Sequence, residues 1–136
     1  MPMDMLVNID VPDLPRAEAF YCNAFGLRPG RRFGGEVVEL LGGPVPIYLL
    51  QKPAGSSPVP GGTQVRSYSR HWCPVHLDIV VPDITVAVRQ ALTAGAIQEK
   101  PVQLASWGKL AMFSDPYGNG FCLIEFVGRG YDEIAT

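Results

Sequence analysis

The chain has 136 residues, long enough for one ordinary domain with a real core. Apolar residues make up 47% and charged residues 18%, the balance of a soluble globular protein rather than a disordered one. A net charge of -2 without a basic stripe argues against nucleic acid as a partner, and no apolar run approaches the ~20 residues that span a bilayer.

The start, Met1-Pro2-Met3-Asp4, has no basic segment leading into an apolar run, so no secretion signal is expected. Val7, Ile9 and Val11 alternate with Leu6, Asn8 and Asp10, which predicts a half-buried strand. Asp13 stands where a helix N-cap belongs, and Pro15 is tolerated in a first helical turn. Leu14, Ala17, Tyr21, Ala24 and Phe25 recur at helical spacing, and Gly26 is placed to end the helix in a left-handed cap. A weak strand is expected near Arg31–Phe33, then clearer ones over Glu36–Leu41 and Pro46–Gln51, split by Gly42-Gly43. The stretch Pro53 to Gly62 is rich in Pro, Gly and Ser and reads as a connecting loop with freedom to move.

The pattern then begins again. Leu77, Ile79 and Val81 alternate with His76, Asp78 and Val80, and Asp83 follows as a second N-cap. Ile84, Ala87, Val88, Ala91 and Leu92 form the next helical stripe, closed by Gly95. Strands are expected near Ile97–Val102, over Lys109–Phe113 and over Gly120–Phe126, the last two joined by the turn Asp115-Pro116-Tyr117-Gly118-Asn119-Gly120. Val11-Pro12-Asp13-Leu14 and Val81-Pro82-Asp83-Ile84 stand 70 residues apart, and the match runs back through both first strands. A long repeat present twice is a duplicated module, not a solenoid. The expected organisation is module one over about 4–52, a linker over about 53–71, module two over about 72–127 and a tail over 128–136.

Cys22, Cys73 and Cys122 cannot all pair within the chain and form no C-x-x-C motif, which fits a reduced, cytoplasmic setting. In each module, strand positions that do not pack on the helix face the other way. Two such faces curled together would enclose Leu6, Asn8, His76 and Asp78, the place to look for a site.

The order of these motifs resembles the vicinal oxygen chelate superfamily, which contains glyoxalase I, bleomycin- and fosfomycin-resistance proteins and extradiol dioxygenases. The resemblance covers nearly the whole chain. It rests on Val11-Pro12-Asp13-Leu14 with Ala19-Phe20-Tyr21 and Phe25-Gly26-Leu27, and on His76-Leu77-Asp78 before Val81-Pro82-Asp83. It rests also on Phe113-Ser114-Asp115-Pro116 and Gly118 before Phe121-Cys122-Leu123-Ile124-Glu125. It implies an α+β fold of paired βαβββ modules, forming an open barrel-like sheet with a central cavity, and a homodimer. Metal-dependent members use up to four inward positions, which fall here on Leu6, Tyr48, His76 and Cys122.

Only His76 suits that role well. Leu6 has no donor atom, Tyr48 would have to lose a proton with a pKa near ~10, and Cys122 favours softer ions than vicinal-oxygen chemistry uses. No metal is therefore expected at the family position, and no cofactor. Cys122 reads first as a small core hydrophobe, Tyr48 as a wall residue or a hydroxyl offered to ligand, and Trp72 and Trp107 as core or interface cover or as stacking surfaces. Glu125 alternates away from Cys122, and Arg31, Arg32 and Arg70 read as solvated surface.

The function expected is binding of a small apolar or aromatic organic molecule. Leu6, Tyr48, Trp107 and Cys122 would supply walls, and Asn8, His76 and Asp78 polar orientation. The alternative is a metal-dependent lyase or dioxygenase of the glyoxalase type, with His76 as the candidate catalytic base or with ligands outside the aligned positions.

Overall fold

The structure, a computed structural model, describes residues 2–136. Met1, part of the start read for a secretion signal, lies outside the described residues. The chain divides into two compact units, 1–68 and 69–136.

Module one runs β1 (Val7–Val11), α1 (Leu14–Phe25), β2 (Arg28–Phe33), β3 (Val37–Leu41) and β4 (Ile47–Gln51). Its sheet has the order β1-β4-β3-β2, with β1 parallel to β4 and the other pairs antiparallel. Module two repeats this as β5 (Leu77–Val80), α2 (Ile84–Ala94), β6 (Ile97–Ala105), β7 (Gly108–Ser114) and β8 (Gly120–Phe126), ordered β5-β8-β7-β6. Each module is thus a mixed sheet with one helix on one face, the βαβββ arrangement expected from the repeat. Among the described residues, no helix is long and apolar enough to cross a membrane.

The helices form where local chemistry sets their ends. The Asp13 carboxylate accepts from the backbone N–H of Arg16 at 3.2 Å, and Asp83 accepts from Val86 at 3.2 Å. Gly26 (φ 67°) and Gly95 (φ 115°) close the helices in the left-handed region that side chains disfavour. A second device is tertiary. The Gln51 side chain at the end of β4 accepts from Leu14 N–H at 2.9 Å, and Glu125 near the end of β8 accepts from Ile84 N–H at 2.9 Å. Both bonds satisfy a first-turn donor that no helical carbonyl can reach.

Each helix covers one face of its own sheet. In module one, Leu14, Ala17, Phe20, Tyr21 and Ala24 bury against Val11, Val38, Leu40 and Leu49. In module two, only Ile84 and Ala91 of α2 are fully buried, over Ala111, Phe113 and Leu123. Leu92, expected in the buried stripe, is 45% exposed, because it lies just beyond the arc that α2 turns toward β7 and β8.

Two segments are more ordered than their composition suggests. The connecting segment folds back on module one: Gly55 and Ser56 exchange backbone bonds with Arg66, and the Arg66 guanidinium pairs with Asp10 at 2.7 Å. Arg66 lies beyond the Pro/Gly/Ser-rich stretch, so composition alone does not reveal the tie. The tail contains a 3₁₀ turn, Gly130–Glu133, which sets Tyr131 against Phe126 and Trp107 with ring centroids 4.8 and 5.1 Å away.

Candidate functional site

The helix-free face of each sheet carries one row of side chains across three strands. In module two, Asp78 of β5 stands opposite Cys122 of β8, which stands opposite Met112 of β7. Leu77 and Ile79 alternate to the helix side, so His76 and Asp78 share the open side. His76 Nε2 lies 3.1 Å from Asp78 Oδ1. The Cys122 thiol also donates to Asp78, and one carboxylate therefore serves both neighbours. Burial, reinforced by the Asp78 charge and that hydrogen bond, pushes the Cys122 thiol up to about 11, so it is protonated at neutral pH. One donor atom from each of His76, Asp78 and Cys122 lies within 4.8 Å of the others.

His76 and Cys122 line a pocket of about 210 Å³ together with Trp72, Val75, Met112 and Phe121. Trp72 is 81% exposed and Val75 76%, high exposure for large apolar groups that line a pocket. Arg70 and Glu99 close one side of the pocket, paired at 2.5 Å. Arg70 also donates to the carbonyls of His71 and Gly118, which holds the 69–71 segment on the β7–β8 turn. That turn is built by Asp115, which is 1% exposed and accepts from Tyr117 N–H at 2.8 Å, Asn119 N–H at 2.9 Å and the Asn119 amide at 2.9 Å. Arg70 is thus an anchor while still a surface residue, its side chain 41% exposed, as the sequence leads one to expect.

In module one, the equivalent row is Asn8, Tyr48 and Glu39. Glu39 is 5% exposed and grips Arg31 with both oxygens, the shortest contact being 2.7 Å. The Tyr48 hydroxyl donates to Glu39 at 2.8 Å and accepts from Arg31 at 2.9 Å. Hydrogen bonds from the Arg31 side chain and backbone, then from Tyr48, hold the Glu39 carboxyl at about 2. Phe33 stacks on Tyr48, and the Arg31 guanidinium lies 5.6 Å over the Phe33 ring. Gly30 is required here, since a Cβ would fall 2.6 Å from a Glu39 oxygen. Sequence reasoning missed this cluster. Its signal was one acid, Glu39, inside the apolar run Val37-Val38-Glu39-Leu40-Leu41.

The residues expected at the site separate as follows. His76, Asp78 and Cys122 come together in module two. Asn8 and Tyr48 share the row in module one, and Leu6 precedes β1 with 58% exposure. Trp107 lies between β6 and β7, where its ring packs on Phe126 and Tyr131; it does not line the pocket. Glu125 is committed to the start of α2 and to Lys109 at 3.4 Å.

The four family positions do not fit a shared ion. Leu6 has no donor, and the Tyr48 hydroxyl is engaged on both sides by Glu39 and Arg31.

A family model for a glyoxalase-like domain matches residues 6–124. Among solved structures, a glyoxalase-related enzyme from Fulvimarina pelagi is 16% identical, with a TM-score of 0.71 over 92% of this chain and 88% of that one. The fosfomycin resistance protein FosX from Listeria monocytogenes is 16% identical, with a TM-score of 0.70 over 93% and 95%. TioX from Micromonospora sp. ML1 is 19% identical, with a TM-score of 0.68 over 93% and 100%. At these identities the likeness establishes the fold. A comparison with curated proteins returns no match.

Proposed function

The chain belongs to the glyoxalase-like domain family, within the vicinal oxygen chelate superfamily, and from that premise we propose that it binds a small apolar or aromatic organic molecule in the module-two pocket, with no metal at the four family positions. The observation that carries this reading is one pocket lined both by exposed apolar groups, Trp72 and Val75, and by the imidazole of His76, which Asp78 holds from outside the lining. Indole and isopropyl groups held at a cavity mouth gain free energy when a planar molecule covers them. His76 then fixes orientation: with Nε2 on Asp78, its Nδ1 atom is turned away from the carboxylate and is available to a ligand. A volume of about 210 Å³ admits a ring-sized group rather than a whole drug-sized molecule, so the rest of the ligand would lie across the rim.

Protonated Cys122 offers bulk and no nucleophile, which favours binding over covalent chemistry. One structural neighbour is a fosfomycin resistance protein, and sequestration of a toxic compound is the role this reading favours here. The protein is further proposed to act as a cytoplasmic homodimer, checked by its mass in light scattering.

A thermal-shift screen of planar aromatic compounds, in buffer containing a chelator, tests the reading. At a ligand concentration 100 times Kd, the fold gains about 2.7 kcal/mol, a rise in Tm on the order of 8 °C for a chain this size. Trp72→Ala should weaken the best binder by about tenfold. No shift with any compound, or a shift unchanged in Trp72→Ala, would refute it.

A further inference from the structure

The charged groups that line the module-two pocket are already matched to one another. Glu99 accepts from the Arg70 guanidinium at 2.5 and 2.9 Å, and from the Ser114 side chain. The remaining Arg70 nitrogen donates to the carbonyls of His71 and Gly118. The ion pair therefore offers a ligand no uncompensated charge. His76 differs, because only its Nε2 atom is engaged, by Asp78, and Nδ1 has no partner among the described residues.

The hydrogen on that imidazole is placed by its partner. A carboxylate accepts and cannot donate. With Asp78 Oδ1 3.1 Å from Nε2, the hydrogen of the neutral ring sits on Nε2, and Nδ1 keeps its lone pair. His71 is set the opposite way. Its Nδ1 lies 3.0 Å from the Ser69 carbonyl, which also only accepts, so the hydrogen sits on Nδ1. Asp78 is itself held in place, since it stands opposite Cys122 in the β5–β8 register and takes the thiol hydrogen as well.

We propose that the pocket selects a neutral aromatic molecule bearing an O–H or N–H donor, which it seats on the Nδ1 lone pair of His76, and that Asp78 is the positioning residue that sets this preference by fixing the imidazole tautomer.

The alternatives cost more. A ring ketone would set its oxygen lone pair against the lone pair of Nδ1. A charged ring would leave water for the apolar groups of Trp72, Met112 and Phe121 without gaining a free counter-ion. The His76 side chain is 53% exposed, so the discrimination is that of one partly solvated hydrogen bond, about tenfold. Replacing Asp78 by asparagine reverses the logic while keeping the shape. The Asn carbonyl can still accept from the Cys122 thiol, which turns the amide toward Nε2. An amide N–H donates there, so the ring hydrogen moves to Nδ1 and the acceptor becomes a donor.

The choice of ligand rests on the organic-ligand reading, whereas the tautomer can be read without any ligand. Nitrogen-15 NMR of the two histidine rings is recorded at pH 8, where an ordinary imidazole is neutral. The expected result is opposite tautomers, with the hydrogen on Nε2 in the ring whose signals vanish in His76→Ala. In Asp78→Asn that ring should carry its hydrogen on Nδ1. NMR titrations then compare p-cresol, a donor, with acetophenone, an acceptor of similar size. Wild type should bind p-cresol about tenfold tighter, and Asp78→Asn should shrink that preference at least about tenfold. His76→Ala should bind the two within about threefold of each other. A wild-type His76 with its hydrogen on Nδ1, or a preference unmoved by Asp78→Asn, would overturn the proposal. Equal binding of both rings to wild type overturns it too, yet leaves the organic-ligand reading standing; binding of neither counts against both.

Discussion

Two substitutions of Asp115 should destabilise the β7–β8 turn to different, measurable extents. One oxygen of its carboxylate accepts from the backbone N–H groups of Tyr117 and Asn119 at 2.8 and 2.9 Å, and the other accepts from the Asn119 amide at 2.9 Å. The side chain is 1% exposed, so water cannot replace these bonds without the turn opening. Asp115→Ala orphans two backbone donors, each costing about 1–3 kcal/mol, the Asn119 one less because it is partly reached by solvent; about 3 kcal/mol is expected in total. Asp115→Asn keeps an acceptor for the two backbone donors and loses the bond to the Asn119 amide and the charge, so about 1 kcal/mol is expected. Both tryptophans, Trp72 and Trp107, lie in module two, and intrinsic fluorescence during urea unfolding reads the right module. With a urea slope of about 1.5–2 kcal/mol per molar, Asp115→Ala should lower the midpoint by about 1.5–2 M. A loss below about 1 kcal/mol for Asp115→Ala, or an Asp115→Asn as damaging as Asp115→Ala, would refute this account of the turn.

Other outcomes follow from the same geometry. Glu39 is held at about 2 against an ordinary value of 4.5, so its contribution to stability is present above 4.5 and is lost as pH falls through 2; urea midpoints between these values should fall for wild type and flatten for Glu39→Gln. Cys122, buried and raised to about 11, should resist iodoacetamide at pH 8 while exposed Cys73 reacts, as peptide mass spectrometry would reveal; equal labelling would count against the buried, protonated thiol. Gln51→Ala should cost about 1 kcal/mol by removing the acceptor for the first N–H of α1, measured by thermal unfolding.

Much of the architecture was legible because it is local. Period-two runs marked β1 and β5, Asp13 and Asp83 marked the helix starts, and Gly26 and Gly95 marked the ends. The duplicated motif also carried register: aligning Tyr48–Gln51 with Cys122–Glu125 placed Tyr48 and Cys122 at matching points of β4 and β8. The Arg31–Glu39–Tyr48 cluster was not legible, because a register shift between Pro29 and Arg32 turns Arg31 toward Glu39. Nor was the place of Trp107, which depends on a tail segment folding back to deliver Tyr131. The order in the 53–68 segment depends on Arg66 meeting Asp10, a residue 56 positions earlier.

By itself, the sequence determined the two modules, their elements and the side of β5 that His76 and Asp78 share, since strand alternation, capping and turn formation act over a few residues. Only the tertiary structure decided which chemistry each open face carries: a locked Arg–Glu–Tyr cluster in module one, and an imidazole, carboxylate and thiol drawn together in module two. Those groups meet across strands far apart in the chain, where side-chain reach and sheet register, not local propensity, set the distance.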